Sequence, residues 1–364
     1  MDTYHVIGLM SGSSMDGLDI AFCILELDDS GNWSYKVEKA ECIEYPRKWH
    51  LRLRNLTMQN AITYIKTHTY YGHYVAETVN DFIDRHGLAG SIDFIASHGQ
   101  TIFHQPENLL TSQIGDGGAI SALTQIPVVS NFRTQDVALG GQGAPIVPIG
   151  DKLLFQDYTF CVNLGGIANI SAKLAEDKML GYDVCAMNLV LNRLSESMGQ
   201  SFDEGGEIAR SGHLDERLLE ELDRSWYYTK ELPKTIGGGW VRKVLMPVFR
   251  HYRIPIEDKL HTYVEHVATQ INKDIELICV NNELGDPADH KVLYTGGGAL
   301  NSYMMERIKH HSTAQVEVPD ENLVNFKEAL IMALVGTLRW RSEVNCLSNV
   351  TGASRDSIGG EIYG

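Results

Sequence analysis

The sequence predicts an α/β fold built from two copies of one domain, and three observations support this prediction. At 364 residues the chain exceeds the roughly 250–300 residues at which a single hydrophobic core stops growing. Residues 5–27 predict a strand, a glycine-rich turn and a second strand, and residues 159–174 repeat that pattern. Helices and strands alternate after each repeat. We therefore expect domains at 1–150 and 151–364, whose two hairpins face each other across a central cleft.

The first half is predicted to be a sheet with one long helix. Apolar runs predict strands at 5–9, 18–27, 35–43, 92–96 and 127–129. A tyrosine-rich segment predicts a helix over 61–86, and the strand at 92–96 is expected to end at Ser97. Residues 140–148 are rich in glycine and proline, which predicts a connector with the domain boundary shortly after it.

The second half restarts the same pattern. It contains three predicted strands, at 159–163, 170–174 and 291–294. Apolar residues step by three or four along 258–281, which places them on one face of a helix. Two further helices are predicted to begin at Ala299 and near Phe326.

Charge and composition argue against several classes of function. A formal charge of −16 argues against binding nucleic acid or an anionic membrane through a general electrostatic field. The N-terminus shows no signal-peptide pattern, and no apolar run approaches the ~20 residues of a membrane span. The six cysteines lack a Cys-x-x-Cys pair, which favours reduced thiols in the cytoplasm. The 14 histidines show no metal-ligand spacing, so no zinc or iron site is expected.

The first glycine-rich turn predicts a phosphate-binding site. Glycines let backbone N–H groups approach an anion, hydroxyls add donors, and carboxylates could orient Mg²⁺. The candidate residues are Gly12, Ser13, Ser14, Met15, Asp16, Gly17 and Asp19. No Gly-Lys-Ser/Thr follows, so this is not a Walker loop. The alternative is a stable hairpin whose turn merely needs glycine and aspartate.

Two further glycine-rich turns lie in the second half. Gly165, Gly166 and Asn169 are the counterparts of the first turn. Gly296, Gly297 and Gly298 separate a strand from a helix, where a helix N-terminus and open backbone suit the ribose and phosphates of a nucleotide. The alternative for these three is a tight strand-to-helix turn.

Several motifs in order resemble the anhydro-N-acetylmuramic acid kinases. They lie at 8–19, 97–101, 131–133, 140–145, 163–169, 233–234, 295–298, 327–329 and 350–353. The family is part of the sugar kinase, Hsp70 and actin superfamily, so the resemblance implies duplicated ribonuclease H-like domains, the actin-like ATPase fold. It also implies an enzyme that uses ATP and Mg²⁺ to open the 1,6-anhydro ring of a cell-wall amino sugar and to phosphorylate O6, during peptidoglycan recycling. A homodimer is compatible with the resemblance.

The resemblance also implies roles for individual residues. Asp183 would be the base that takes a proton from water, although an aspartate before a helix also stabilises the helix start. The substrate contacts would be His98, Gln100, Arg133, Asn188 and Glu328. Three of them have an ordinary alternative: His98 as a neutral core histidine, Arg133 in a surface ion pair, and Glu328 in a capping box with Asn325 as N-cap.

The chain departs from the family pattern at two places. The family has Asp-Thr-Gly-Pro-Gly-Asn where residues 183–188 are Asp-Val-Cys-Ala-Met-Asn, and it has Gly-x-Glu where residues 237–239 are three glycines. The first departure lies in a segment expected to shape the sugar pocket. Two alternatives therefore stay open: a kinase acting on a related sugar, and an ATP-binding module without catalysis.

Overall fold

The computed structural model describes residues 1–12, 15, 17–232 and 234–364. The predicted phosphate-binding residues Ser13, Ser14 and Asp16 lie outside the described residues. Two compact units are present: Met1–Phe155 together with Phe326–Gly364, and Gln156–Asn325. The first unit therefore ends near the predicted boundary, but it also takes the C-terminal 39 residues (326–364) that the sequence assigned to the second domain.

The first unit contains a seven-stranded mixed sheet among the described residues. Its strands are β1 Asp2–Ser11, β2 Gly17–Leu27, β3 Trp33–Glu44, β4 Phe94–Gln105, β5 Leu110–Ile114, β6 Val128–Ser130 and, from the C-terminus, β12 Glu361–Tyr363. The order is β12-β6-β4-β1-β2-β3, with β5 paired to β4. β1, β2 and β3 are antiparallel neighbours, whereas β4 is parallel to β1 and β6 is parallel to β4.

The helices of this unit are α1 Arg47–Asn55, α2 Ala61–His86, α3 Gly117–Thr124, α4 Thr134–Ala138, α5 Val147–Leu154, α14 Ser348–Thr351 and most of α13 Glu321–Trp340. Gly8 on β1 explains why the C-terminal helix joins this unit. A Cβ at Gly8 would lie 2.0 Å from the carbonyl oxygen of Ala329 and 3.0 Å from the amide nitrogen of Ala333. Only glycine lets the backbone of α13 pack this closely on β1.

The second unit repeats the same topology in a five-stranded sheet. Its strands are β7 Phe160–Leu164, β8 Ile167–Lys173, β9 Met179–Ala186, β10 Lys291–Thr295 and β11 Gln315–Glu317. The order is β11-β10-β7-β8-β9. Again the first three strands are antiparallel neighbours, and the next two add in parallel beside the first. This shared strand order confirms the predicted duplicated ribonuclease H-like fold.

The helices of the second unit cover its sheet. They are α6 Asn188–Ser195, α7 Glu207–Ser211, α8 Glu216–Asp223, α9 Gly238–Trp240, α10 Met246–His251, α11 Ile256–Asn281 and α12 Ser302–His311. The predicted apolar stripe of α11 is confirmed, because Leu260, Val264, Val267, Ile271, Ile275 and Ile278 are all buried.

Four predicted ends of strands or helices were wrong. At each of them, pairing in the sheet or packing of a helix sets the end, and the local sequence pattern does not. β4 continues through the segment 97–101, because Gln100 pairs with both Ser11 and Ile114. Asn169 lies in β8 and not in the turn. α12 begins at Ser302 rather than Ala299, and α13 begins at Glu321 rather than near Phe326.

All six cysteines are free thiols, of which only Cys42 is exposed. Within the described residues, the structure contains no helix with the length and apolar character that a membrane crossing requires.

Candidate active site

Asp183 lies on β9, a strand that the sequence analysis did not predict. The segment contains glycine and aspartate, which are poor strand formers, and its strand form depends on pairing with β8, where Asp183 is opposite Asn169. Ile236 N donates to Asp183 Oδ2 at 2.8 Å, and the Tyr227 hydroxyl donates to the Asp183 carbonyl oxygen at 2.6 Å. The carboxylate is therefore held in one orientation.

Burial raises the pKa of Asp183 to about 6, and the hydrogen bond from Ile236 N partly opposes this rise. A carboxyl group with this pKa is largely ionised at neutral pH and can accept a proton. Its basicity is also higher than that of an ordinary aspartate, which suits general-base catalysis. Asp183 thus has the protonation behaviour that the predicted base requires.

The first prediction concerns pH. Because Asp183 must be ionised to accept a proton, we expect kcat/KM to fall as the pH drops through about 6, by about tenfold for each further pH unit. The measurement is a pH profile of sugar phosphorylation. A limb near the ordinary aspartate value of 3.8 would contradict a raised pKa at the predicted base.

A cavity of about 460 Å³ lies in the second unit beside the third glycine-rich turn. Gly297, Gly298 and Asn188 line it, together with Leu191, Asn192, Phe202, Asp203, Glu204, Gly205, Leu300 and Asn301. Asn188 Nδ2 donates to the carbonyl oxygen of Leu164 at 3.2 Å. The structure thus brings Asn188, a predicted sugar contact, together with the glycines predicted to bind nucleotide.

Gly298 allows the close packing that forms one wall of this cavity. A Cβ at Gly298 would lie 2.3 Å from Met187 Cε and 2.8 Å from the carbonyl oxygen of Leu164. Gly296 has a positive φ of 81°, and its amide donates to the carbonyl oxygen of Val324 at 2.9 Å. Glycine is therefore required at 296 by backbone conformation and at 298 by packing, in addition to any role in binding.

The hairpin turn at Gly165 and Gly166 is tied to the start of α6. The carbonyl oxygens of Gly165 and Gly166 accept from Asn188 N at 3.3 Å and Met187 N at 3.0 Å, respectively. These carbonyls cap the helix N-terminus, so any phosphate contact made by this turn must come from its N–H groups. Asn169 is on the adjoining strand, where it pairs with Asn163 and Asp183.

The first hairpin turn is described only in part. The Gly12 carbonyl oxygen accepts from Met15 N and from Gln100 Nε2, both at 3.3 Å. Met15 has a positive φ of 59°, and its side chain packs against the core of the first unit. Gly17 pairs with Glu44 at the start of β2. The side chain of Met15 is thus a packing group, and the predicted nucleotide contact of this residue stays a prediction.

The side chain of Gln100 is hydrogen-bonded to this turn. Its side chain is completely buried, and Ser11 Oγ donates to its Oε1. Ser11 is in turn bonded to the Tyr45 hydroxyl at 2.5 Å. The structure therefore places Gln100 in a chain of hydrogen bonds that fixes the end of β1, and its predicted substrate contact stays a prediction.

His98 and Arg133 form a buried hydrogen-bonded pair. Arg133 Nε donates to His98 Nε2 at 2.8 Å, and His98 Nδ1 lies 2.8 Å from the carbonyl oxygen of Gly99. Burial, with the charge of Arg133, lowers the pKa of His98 to about 3. His98 is therefore neutral, as its core alternative predicted, and its ring accepts a hydrogen bond from the Arg133 guanidinium. Burial lowers the pKa of Arg133 to about 10, so Arg133 stays charged and is not part of a surface ion pair.

The second prediction tests this pair. Hydrogen bonds to charged groups contribute about 1.5–3 kcal/mol, so His98→Ala should raise the KM for the sugar by about 10-fold or more by releasing Arg133. His98→Gln keeps an acceptor oxygen and should recover most of the loss. Steady-state kinetics on both variants, with His50→Ala at an exposed position as control, provide the measurement. Equal KM values for His98→Ala and wild type would refute the orienting role.

Asp136 is a residue that the sequence analysis missed. It is buried, its Oδ2 accepts from Gly143 N at 2.7 Å, and its Oδ1 accepts from Thr351 Oγ1 at 2.7 Å. Arg133 Nη1 also donates to the Gly143 carbonyl oxygen. Asp136 thus joins two of the recognised motifs, 140–145 and 350–353. The available signal was an aspartate between the motifs at 131–133 and 140–145.

Glu328 lies inside α13, seven residues after its first residue, so the predicted capping box with Asn325 was wrong. Burial raises the pKa of Glu328, and the negative charge of Asp19 adds to the rise, whereas Lys327 and Arg133 oppose it. The first unit therefore brings together four predicted site residues: Asp19, His98, Arg133 and Glu328. This group can present both a cation and two carboxylates to a polar ligand.

Within the described residues, no group of three or more His, Cys, Asp or Glu side chains could hold a metal ion.

Comparison with known proteins decides the family. The family model described as anhydro-N-acetylmuramic acid kinase matches residues 4–364. The chain belongs to the anhydro-N-acetylmuramic acid kinase family.

Curated relatives agree with this. The anhydro-N-acetylmuramic acid kinase of Sulfurimonas denitrificans is 32% identical over 377 residues, covering 98% of each chain. That of Saccharophagus degradans is 33% identical over 380 residues, also covering 98% of each chain. That of Vibrio vulnificus is 34% identical, covering 98% of this chain and 97% of the relative.

Likeness to solved structures is weak. Component A of the Acidaminococcus fermentans (R)-2-hydroxyglutaryl-CoA dehydratase is 11% identical with a TM-score of 0.43, covering 91% of this chain and 96% of that chain. The fold assignment rests on the strand order of each unit and not on this likeness.

Proposed function

We propose that this chain is an ATP-dependent kinase that opens 1,6-anhydro-N-acetylmuramic acid with water and phosphorylates its O6. The product is N-acetylmuramic acid 6-phosphate, formed during peptidoglycan recycling. The observation that carries the proposal is the family match over residues 4–364, which includes the motifs around both glycine-rich hairpins. Cytoplasmic location is proposed with it, supported by the six free cysteines, and a homodimer stays a prediction.

Asp183 is the proposed general base. It takes a proton from water as the water oxygen attacks the anomeric carbon, and the bond from that carbon to O6 breaks. The released O6 then attacks the γ-phosphorus of ATP, and ADP leaves. The hydrogen bond from Ile236 N at 2.8 Å supports this role, because a positioned base needs a fixed orientation.

The second unit supplies the proposed nucleotide-binding groups. We propose that the base and ribose of ATP occupy the cavity lined by Asn188, Gly297 and Gly298. Its volume of about 460 Å³ is within the usual range for small-molecule pockets. The phosphate contacts of Gly12, Gly17, Gly165 and Gly166 are proposed through backbone N–H groups.

In the first unit, Arg133 and Glu328 are the proposed contacts of the sugar carboxylate and hydroxyls. Arg133 stays charged and is oriented by His98 at 2.8 Å. A guanidinium held in this way suits a carboxylate ligand.

The residues present fit a Mg²⁺ ion bound together with ATP. Mg²⁺ is usually held by one or two carboxylates plus substrate phosphates, rather than by an all-protein cage. Asp19 and Glu328 are carboxylates close enough for Asp19 to raise the pKa of Glu328, and a nearby cation would relieve that repulsion. We propose that Asp19, with Asp16, would hold the ion, whose chemistry is to neutralise phosphate charge.

Residues 184–187 differ from the family pattern, but this difference does not favour a sugar substrate other than 1,6-anhydro-N-acetylmuramic acid. Val184, Cys185, Ala186 and Met187 are all buried in the core of the second unit. These side chains are therefore core groups and do not line a sugar pocket. A related sugar and a non-catalytic ATP-binding module remain outcomes of the test.

A sugar-dependent ATPase screen with product mass tests the proposal. We expect ATP consumption with 1,6-anhydro-N-acetylmuramic acid and a product heavier by one phosphoryl group and one water. Turnover with another amino sugar alone would favour the related-sugar alternative. Nucleotide binding without any phosphorylated product would favour the binding module.

A further inference from the structure

We propose that Lys234 is a positioning residue for Asp183, acting through the loop that carries Lys234 and Ile236. This role rests on the proposed function of Asp183 as base. Lys234 and Asp183 are 51 positions apart in the chain. The sequence motif at 233–234 does not by itself indicate what Lys234 does.

Lys234 is buried deeply for a lysine. Its side chain is 5% exposed, and its Nζ lies 3.7 Å from Asp274 Oδ2 on α11. The same Nζ lies 4.9 Å from the centre of the Tyr182 ring and 5.3 Å from that of Tyr227. Both distances are within the cation–π range of about 6 Å. Lysines are almost never fully buried unless paired, so this cage of one carboxylate and two rings is a specific anchor.

The anchored loop contacts Asp183 twice. The carbonyl oxygen of Lys234 accepts from Asp183 N at 3.3 Å, and Ile236 N donates to Asp183 Oδ2 at 2.8 Å. The third contact of Asp183 comes from the Tyr227 hydroxyl, whose ring is a wall of the lysine cage. The loop that contains Lys234 therefore bonds both the backbone and the carboxylate of Asp183. The ammonium of Lys234 also packs on the tyrosine whose hydroxyl bonds the Asp183 carbonyl oxygen.

The loop is anchored again only after three glycines. Gly237, Gly238 and Gly239 are exposed and have open space where a Cβ would stand, and the next residue, Trp240, packs against the ring of Tyr227. Between residues 234 and 239, the buried side chains are those of Lys234 and Ile236. Removing the ammonium leaves Ile236 and the more distant Trp240 as anchors, so we expect the hydrogen bond to Asp183 Oδ2 to weaken.

The titratable groups around Asp183 are Tyr182, Tyr227, Cys185, Lys234 and Asp274. Burial raises the pKa of the two tyrosine hydroxyls and of the cysteine thiol well above their usual values, so these groups stay neutral near pH 6. Burial also raises the pKa of Asp274, and Lys234 opposes this rise. A test must therefore prevent Asp274 from titrating in place of Asp183.

The test compares Lys234→Met with the double variant Lys234→Met/Asp274→Asn. We expect both to lower kcat roughly 10- to 100-fold, the cost of a misplaced catalytic group. We also expect the acid limb of the pH profile to move up by roughly half to one unit, because the Asp183 carboxylate loses an N–H donor. In the double variant residue 274 has no charge, so a moved limb belongs to Asp183. If Lys234→Met is too unstable to isolate, the double variant decides, because it removes the buried pair as a unit.

Lys273→Met is the matched control. Lys273 precedes Asp274 on α11, and its Nζ also lies 3.7 Å from a carboxylate, that of Asp223, but it is 52% exposed. Its kinetics should equal those of wild type. Hydrogen exchange of residues 232–239 gives a readout independent of activity, and it should be faster in the double variant than in the control.

Three outcomes overturn the role of Lys234: wild-type kcat in the double variant, a lowered kcat with an unmoved acid limb, or unchanged hydrogen exchange. Failure of the proposed kinase function can be told apart from failure of the Lys234 proposal. In the first case the wild-type protein phosphorylates no sugar, or the Asp183→Asn variant retains turnover. In that case the exchange result still decides whether Lys234 holds the loop.

Discussion

Asp183→Asn is expected to abolish sugar phosphorylation while nucleotide binding persists. A general base typically contributes about 10²–10⁴-fold to the rate, and an amide cannot accept the proton. The substitution keeps an oxygen that can accept from Ile236 N, which now bonds Asp183 Oδ2 at 2.8 Å, so the strand and loop should keep their structure. The measurements are kcat with 1,6-anhydro-N-acetylmuramic acid and calorimetric binding of a non-hydrolysable ATP analogue.

Asp177→Asn provides the control for this experiment. Residue 177 is exposed in the same unit, so the same chemical change there should leave kcat and nucleotide affinity at wild-type values. Turnover by Asp183→Asn within tenfold of wild type would remove Asp183 from the mechanism. Loss of nucleotide binding would instead indicate that the substitution disturbs the second unit as a whole.

Lys327→Met is expected to destabilise the first unit by about 3–5 kcal/mol, because it leaves a buried carboxylate without its cation. Lys327 Nζ lies 2.7 Å from Asp151 Oδ1, and the two side chains are 4% and 2% exposed. Lys327 also lies 5.1 Å from the ring centre of Phe155. The change in the free energy of unfolding can be measured by urea denaturation.

Lys178→Met is the matched control for this ion pair. Lys178 also lies 2.7 Å from a carboxylate, that of Glu176, but these side chains are 59% and 77% exposed. Exposed pairs contribute about 0–1 kcal/mol, so this variant should unfold nearly as wild type does. Replacing both partners, as Lys327→Met/Asp151→Leu, should recover most of the loss. Equal stabilities of Lys327→Met and Lys178→Met would show that the buried pair contributes no more than a surface pair.

The elements predicted best were those with a strong local signal. The helix over 61–86 was predicted with the observed bounds from its own segment of sequence. Its N-cap Asn60 and its left-handed Gly87 lie directly beside it in the chain, so its ends are also set locally. The stripe of α11 was also predicted, because helical periodicity is visible in consecutive residues. In contrast, β9 contains Gly181 and Asp183 and becomes a strand only by pairing with β8.

The candidate site was predictable as a set of residues but not as an arrangement. The motifs pointed to His98, Arg133, Asp183 and Glu328. They did not indicate that His98 orients Arg133 or that Gln100 is buried beneath the first hairpin. These relations depend on hydrogen bonds between residues 35 and 89 positions apart, which no local pattern contains.

The sequence by itself determined the duplicated topology, the glycine-rich turns and the family, because these depend on short motifs and on apolar periodicity along the chain. Only the tertiary structure decided how Asp183 acquires a raised pKa and a fixed orientation. Burial raises the pKa, and a donor 53 positions away fixes the orientation. Both are properties of packed neighbours. The proposed role of Lys234 also could not be predicted from the sequence, because only folding brings Lys234 between Tyr182, Tyr227 and Asp274.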